Sequence, residues 1–578
     1  MVSENTDHDD ERSVVNDGEN TSVTRRDALK AGASLSAFAL GSKYVTGSVA
    51  AQTSTSTTTG GLAGSGTEAD PYQIETIDDL DKMRDAPGAH YALTSNIDAT
   101  PTETWESGAG WDPIQEFTGS LNGRGYTING LYIDRSAQCA LFRKATAVVE
   151  NITINADITS QGYKAAIIAA QHQGAGSLTV RDVTLSGTIS GGTQVGAITA
   201  MRGIKTVKRC TIDVSAQSEN GAVGLVAGAF DGTMEDCIVS GSITGGATGV
   251  GGIVGGNYGT IRGCCVTADI DMGSDSHDVG GVAGINGESG VIEAVDVEGT
   301  VTAGGNMVGG AVGECLGTIR GVFVDATVNG SQYVGGVTGF AETPAKIELA
   351  TSRAGVTGDS QVGGLVGKAI APIVTNAAAR SPVTGGTATG GLIGHLSSNS
   401  TALHSVVVAA SVDSTANSAG GVIGKRTYSK SGRVTDPAVS VFWDGDVAGV
   451  TGEIGTVGDT IADLDRAATG QMYELTTSEA TGDTATGNMP ALDFDSVWGV
   501  RDGDYPVVES IQSVGCTGAN LPSTDDDDTG NETTTEEPIP PGGGVASSQD
   551  SVVKWIPWGV AGLLGLGLAA DNEEGGGE

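Results

Sequence analysis

The chain has 578 residues, 30 basic against 70 acidic, and a formal net charge of −40. Nucleic acid is excluded as the expected partner, because binding phosphates needs clusters of Lys and Arg. The acidic residues are scattered rather than held in one tail, which suits a halophile: at molar salt the Debye length falls to about 3 Å and their repulsion is screened.

The first 51 residues read as a twin-arginine export signal. Arg25 and Arg26 form the pair, a weakly apolar run follows to Leu40, and Ala50 and Ala51 offer a small-residue cleavage site. The alternative is an acidic arm ahead of an ordinary helix. No cysteine lies near the cleavage site, which argues against a lipid-anchored product. Residues 52–63 form a linker, and 64–137 read as an N-terminal cap with the first coil. Within that cap, Thr76 through Met83 predicts a short helix with Thr76 as N-cap and Asp79 three residues on. A strand, turn and strand are expected around Asn122-Gly123.

From 138 to 427 a six-residue phrase recurs: Val, Gly, Gly, an apolar residue, a small residue, Gly. Clear copies begin at Val250, Val279, Val308, Val334 and Val362, and looser ones at Val195, Val223, Thr389 and Ala419. From Val195 the steps are 28, 27, 29, 29, 26, 28, 27 and 30 residues. A fixed period of this size marks a repeat architecture whose units bury their apolar faces only against neighbours. The unit is too short for a βαβ crossover and lacks helical periodicity. It holds three short β-branched runs, in one copy Thr260–Val266, Ala268–Met272 and Val279–Ala283. The expected fold is therefore all-β: a right-handed parallel β-helix of nine to ten coils of about 28 residues, capped at both ends. Glycine, with 92 copies, would give the corners their backbone freedom. Aligning the coils yields one small, apolar column: Val183, Cys210, Cys237, Cys264, Val295, Val322, Ala350, Ala377, Val406. Such a column is expected to face inward, and nine coils at the strand spacing would stack to roughly 40–45 Å.

Residues 428–516 read as a C-terminal cap, because an open solenoid end exposes strand edges that need covering. Tryptophan is confined to the presumed caps and the tail: Trp105, Trp111, Trp443, Trp498, Trp555 and Trp558. Residues 517–551 are an acidic Thr/Pro/Gly stalk expected to be unfolded. Val552 to Ala570 is nearly all apolar with one charge, Lys554, and is long enough for a membrane anchor. The 571–578 tail has no Lys or Arg, so the positive-inside rule is silent. The alternative for 552–570 is a helix that packs on protein. Four Asn-x-Ser/Thr sites are candidates for glycosylation: Asn151, Asn329, Asn399 and Asn531.

Chemistry is sparse. Cys210, Cys237 and Cys264 follow the repeat and read as buried apolar residues, although a bond between coils is open. No Cys or His pattern has metal-ligand spacing, so no metal or other cofactor is expected. Calcium on the Asp-rich stretch Asp269–Asp278 is the one exception to consider. Acidic pairs abound and therefore single out no glycosidase site. Lys205, Lys208 and Arg209 form the one basic group, read as a solvated edge rather than a lyase site. Tyr163, Phe230, Tyr258, Phe323, Tyr333 and Phe340 are the coil aromatics on which a sugar could stack.

The phrase Val362–Gly367 resembles the GLUG motif of bacterial and archaeal surface proteins. The opening Gly64 to Ile74, the run Phe117 to Ile128 and the stretch Trp498 to Pro506 are similar to parts of the same family, so the resemblance covers roughly 64–510. Ala197 and Leu225 depart from it at glycine slots. The resemblance implies a β-solenoid found in adhesins and beside, not inside, the catalytic part of some surface peptidases. Together with the charge it implies a halophilic archaeal source. The expected function is an exported, membrane-anchored cell-surface protein, not an enzyme, acting in adhesion or envelope structure. Its partners would be other cells, surfaces or envelope components. The alternative is a polysaccharide-binding or polysaccharide-degrading β-helix protein.

Overall fold

The computed structural model describes residues 61–171, 178–397, 402–415, 418–427, 439–450, 452, 454–457 and 472–509. The described residues form a parallel β-solenoid of about 13 turns. One ladder shows why they stack. Tyr72, Tyr91, Leu121, Val149, Val180, Val207, Met234 and Ile261 lie in register, each on the next. Ile292, Ile319, Ile347, Val374 and Leu403 continue the series. All thirteen are buried, and burying a side chain of this kind contributes about 1.5–3 kcal/mol. The expected column from Val183 to Val406 also faces inward, with every member buried.

The stack is longer than the nine to ten coils expected. The Gly-Gly phrase marks one corner, and the first coils turn without it. Tyr72, Tyr91 and Leu121 nevertheless continue the same inward ladder into the segment read as a cap. The helix predicted there is present: Ile77–Asp81, capped by Thr76 in a capping box with Asp79. The strands flanking Asn122-Gly123 do not pair with each other. Ser120–Asn122 pairs in parallel with strands before and after it, and Thr127–Arg135 does the same on the next face. The turn is thus a corner of a coil, not of a hairpin. These first coils are filled by large rings; Phe117 and Phe142 stack with centroids 4.4 Å apart.

In a middle coil the first two expected runs are one strand, Thr260–Met272. It bends at Gly263, which has φ +62°. The equivalent corner has positive φ in each of ten coils, from Asn151 to Ser405, and glycine fills only two, Gly263 and Gly321. Most middle coils then give a two- to four-residue strand at the phrase, such as Val279–Gly280, merged with the preceding strand in Gly355–Gly363 and Val383–Gly390, and a third such as Ala283–Asn286. The third strands build a separate nine-stranded sheet.

The phrase glycines do a different job from the one expected. A Cβ on Gly309 would lie 2.0 Å from the Val312 carbonyl oxygen. One on Gly310 would lie 2.2 Å from the Gly336 oxygen in the next coil, and one on Gly313 2.4 Å from the Val279 nitrogen in the previous coil. All three slots are therefore fixed by close approach of backbone to backbone, not by conformational freedom.

Beyond Arg426 the described part of the expected C-terminal cap splits in two. Val439–Asp444 adds another rung to the stack, with Trp443 on the inward ladder above Val408. Met472–Leu475 adds one more rung, in parallel with Val439–Asp444, and residues 476–509 form a strap that packs on the outer wall. Ala480, Ala485, Met489, Leu492, Trp498 and Val508 cover Ala378, Val407 and Phe442 in a second small core. Arg380 pins the strap. Its Nη2 donates to the carbonyls of Tyr505, at 2.8 Å, and Pro506, and its Nη1 faces Asp504 at 3.4 Å. Burial lowers its pKa to about 10. Tyr505 donates its hydroxyl to Asp444 at 2.6 Å, and Trp498 Nε1 donates to Asn376 at 3.3 Å.

Candidate interaction surface

Because side chains alternate along a strand, the neighbours of the inward ladder face solvent, and parallel register stacks them into an outward ladder. Beginning beside Val149 it reads Glu150, Arg181, Lys208, Glu235, Arg262, Glu293, Arg320, Glu348. The signs alternate at every step except Arg181–Lys208. Those two turn away from each other: Arg181 Nη2 reaches Glu150 at 2.5 Å, and Lys208 reaches Glu235 at 3.5 Å. Glu235 also pairs with Arg262, and Arg320 pairs with Glu293 at 3.4 Å. Beside the ladder Arg209 holds both oxygens of Asp182 at 2.7 Å. The basic group read as a solvated edge is therefore mostly engaged: Lys208 and Arg209 are paired, and Lys205 is exposed. In a chain of −40 the scarce cations are spent between coils. Exposed pairs contribute about 0–1 kcal/mol each, so the ladder chiefly sets register.

A second outward ladder runs along the nine-stranded sheet: Glu314, Phe340, Lys368, His395, Lys425. The Tyr333 ring lies 6.1 Å from that of Phe340, and Lys368 Nζ sits 4.6 Å and 5.3 Å above the two centroids. Among the described residues no carboxylate pairs with Lys368 or Lys425. His395 lies between these lysines, its Nδ1 2.7 Å from Gln361 Oε1 and its Nε2 2.9 Å from Thr427 Oγ1. Burial first, then Lys425 and Lys368, lower its pKa to about 4, so the ring is neutral at ordinary pH. It then donates from Nδ1 and accepts at Nε2. Burial raises the Glu314 pKa, with Asp278 and Glu342 adding to the effect.

A concavity of about 500 Å³ opens on the first coils, lined among others by His90, Ser120, Asn122, Glu150 and Arg181. Of its two carboxylates Glu68 is exposed, and Glu150 is engaged on both oxygens, since Asn122 Nδ2 donates to Oε1 at 2.7 Å and Arg181 holds Oε2.

The residues singled out in the sequence do not converge on one place. Asn151 is exposed at a corner with φ +50°. Asn329 is half-buried, its amide donating to Thr302 Oγ1 at 3.2 Å. Arg25, Arg26, Ala50, Ala51, Asn399 and Asn531 lie outside the described residues, as do the stalk and the apolar segment Val552 to Ala570. Among the described residues no cluster of three His, Cys, Asp or Glu could hold a metal, Asp269–Asp278 included. Cys210, Cys237 and Cys264 are buried free thiols. Cys265, which points the other way, is disulfide-bonded. Of the coil aromatics, Phe230 is in the core, and Tyr258 carries Arg202 3.4 Å above its ring. Sequence reasoning missed both outward ladders and Arg380. The signal for the first was available: Glu235, Arg262 and Arg320 each stand two residues after the Thr of a Gly-Thr, and Glu293 fills the same slot in the coil between the last two.

No family model matches the chain. Halomucin from Haloquadratum walsbyi is 34% identical over 150 residues, 23% of this chain. A protein of Evansella cellulosilytica, provisionally named a Gly-rich membrane protein, is 36% identical over 115 residues, 18% of this chain. The matched stretches span only 2% and 13% of those relatives' own lengths. A solved Bacteroides ovatus protein, provisionally named an immunoglobulin A1 protease, aligns over 78% of this chain and 95% of its own. At 15% identity and a TM-score of 0.27 that likeness carries no argument. The chain is a parallel β-solenoid, similar in part to a halomucin and to a Gly-rich membrane protein.

Proposed function

We propose that this chain is a cell-surface protein that works by contact, in adhesion or as a structural part of the envelope, and not as an enzyme. The observation that carries the reading is the outward ion ladder. It gives the wall a regular, internally paired surface on a scaffold where every coil repeats the last, which suits many weak contacts added through effective concentration. The partial similarity to a halomucin and to a membrane protein supports the surface location. Other cells, surfaces or envelope components are the partners. Export through Arg25 and Arg26 and a membrane anchor at 552–570 belong to this proposal. No helix among the described residues is long and apolar enough to cross a membrane.

The test is protease shaving of intact cells in high salt, followed by fractionation and peptide mass spectrometry. Release of peptides from 64–516, with a piece containing Val552 to Ala570 left in the membrane, is the expected result. Finding the whole chain free in the medium would sink the anchored reading. A second reading, polysaccharide binding, is favoured by the Tyr333–Phe340–Lys368 group, which joins ring faces to a cation with no carboxylate partner among the described residues. It predicts retention on an acidic polysaccharide column that Tyr333→Ala weakens. Shortening of that polysaccharide on incubation would instead reveal a degrading enzyme.

A further inference from the structure

Past the positive-φ corner, the long strand of each coil ends in three outward positions. In seven consecutive coils, from the one holding Asn155 to the one holding Asn329, parallel register stacks them into three columns. None of these residues is Lys or Arg. Asp157, Asp213, Asp269, Asp271, Glu298 and Asp325 are carboxylates, and the rest are Ser, Thr, Asn or Gln. The five aspartates are exposed. Among the described residues none of them is paired with a cation. They stand on every second coil, the first, third, fifth and seventh, and Glu298 on the sixth is the one addition. The nine-stranded sheet shows the opposite condition. Lys368 and Lys425 share a column two coil steps apart, with neutral His395 between them. The two steps come to about 10 Å at the strand spacing.

We propose that these two faces meet between copies: Lys368 and Lys425 of one chain dock on the aspartates of the oxygen-rich wall of a second, with the solenoid axes aligned. The shared two-coil step carries the inference. On rigid stacks it lets both lysines meet carboxylates at once, as with Asp213 and Asp269, two coils apart in neighbouring columns. The flexible four-carbon stems of the lysines take up the sideways shift. An acidic polysaccharide would satisfy the lysines but leaves the spacing of the aspartates unexplained. Wall and lysine column are different surfaces, so the contact is heterologous. It adds copies into a row or ring rather than stopping at a two-fold dimer. The net charge of −40 opposes approach at long range. At molar salt the Debye length of about 3 Å screens that repulsion, while pairs in contact keep part of their attraction. Single exposed pairs are weak, so the row forms where copies are crowded and many contacts act together. The inference rests on the structural, envelope side of the proposed function and names its partner as the chain itself.

The test is sedimentation velocity of the purified full chain in molar salt over a concentration series, with a non-ionic detergent to keep the apolar 552–570 segments apart. The wild type is expected to grow past the dimer as concentration rises. One variant joins Lys368→Glu to Lys425→Glu. Another joins Asp213→Lys, Asp269→Lys and Asp271→Lys, which leaves no two carboxylates of the wall two coils apart. Each should raise the concentration needed for assembly more than about tenfold, because like charges then face each other. A one-to-one mixture of the two variants should assemble again, since each supplies the charge that the other now needs. All five positions face outward, and an unchanged far-ultraviolet circular dichroism spectrum checks that each variant is folded. A monomeric wild type, variants that assemble like the wild type, or a mixture that fails to recover would each overturn the contact. Retention on an acidic polysaccharide column that Lys368→Glu abolishes, without self-association of the wild type, would overturn it in favour of a glycan ligand. The cell-shaving experiment reports location and this one reports contact between purified chains, so either can fail without the other.

Discussion

Two corners of the same coil are built on opposite principles. At the Gly-Gly phrase of the middle coils, backbones approach so closely that no Cβ fits, and glycine returns in coil after coil from Val250 to Gly367. At the ion ladder, the side chains point outward, and what returns is a relation: the signs alternate from coil to coil, Arg181–Lys208 excepted, and charges pair with opposites in an adjacent coil. A steric demand writes an identical letter at a fixed period. A pairing demand writes a pattern of twice that period, with Arg and Lys exchanged freely.

The contrast can be broken at either corner. Gly309→Ala places a methyl 2.0 Å from the Val312 oxygen and 2.7 Å from the Gly339 nitrogen, and neither backbone can yield without shifting its coil. A loss of about 3 kcal/mol is expected, read as a lowered unfolding midpoint in high salt, and insensitive to salt above that needed for folding. A midpoint unchanged from wild type would mean the glycines are not sterically required. Between the two corners lies the wall covered by the strap. Trp498→Ala removes its largest anchor and should cost about 3 kcal/mol locally, seen as rapid proteolysis within 476–509 while the coils stay intact. Equal sensitivity of strap and coils would show one cooperative unit instead. Glu235→Arg would align four cations, Arg181 through Arg262. It should cost about 1 kcal/mol at low salt, and the penalty should fade as the salt becomes molar. A salt-independent effect of the same size would argue for lost packing rather than charge.

What was legible in the sequence follows the same division. The solenoid, the inward column from Val183 to Val406 and the Thr76 cap were readable, because each rests on a residue type repeated at a fixed place or a local motif. The extent of the stack was not. Tyr91, Leu121 and Val149 satisfy the same inward position with side chains of different size, and no glycine phrase accompanies them. The strap was misplaced for another reason. Its target, Ala378, Val407 and Phe442, is an apolar column on a face that alternation assigns to solvent. Recognising it needs the register of three coils, while each coil alone shows a single unremarkable residue. Arg380 escaped for want of any local motif: its partners Asp504 and Tyr505 lie more than a hundred residues away.

The ion ladder also bears on how such a gene can change length. Each coil contacts only its neighbours, so losing one coil from the middle leaves the hydrophobic ladder continuous. It does not leave the charges matched. Deleting the coil of Arg262 would set Glu235 against Glu293, whereas deleting that coil together with the next would set Glu235 against Arg320. Duplication and deletion are thereby expected to survive in steps of two coils between Glu235 and Glu348. Related chains should differ there by about 56 residues rather than 28, a bias that comparison of natural length variants would expose.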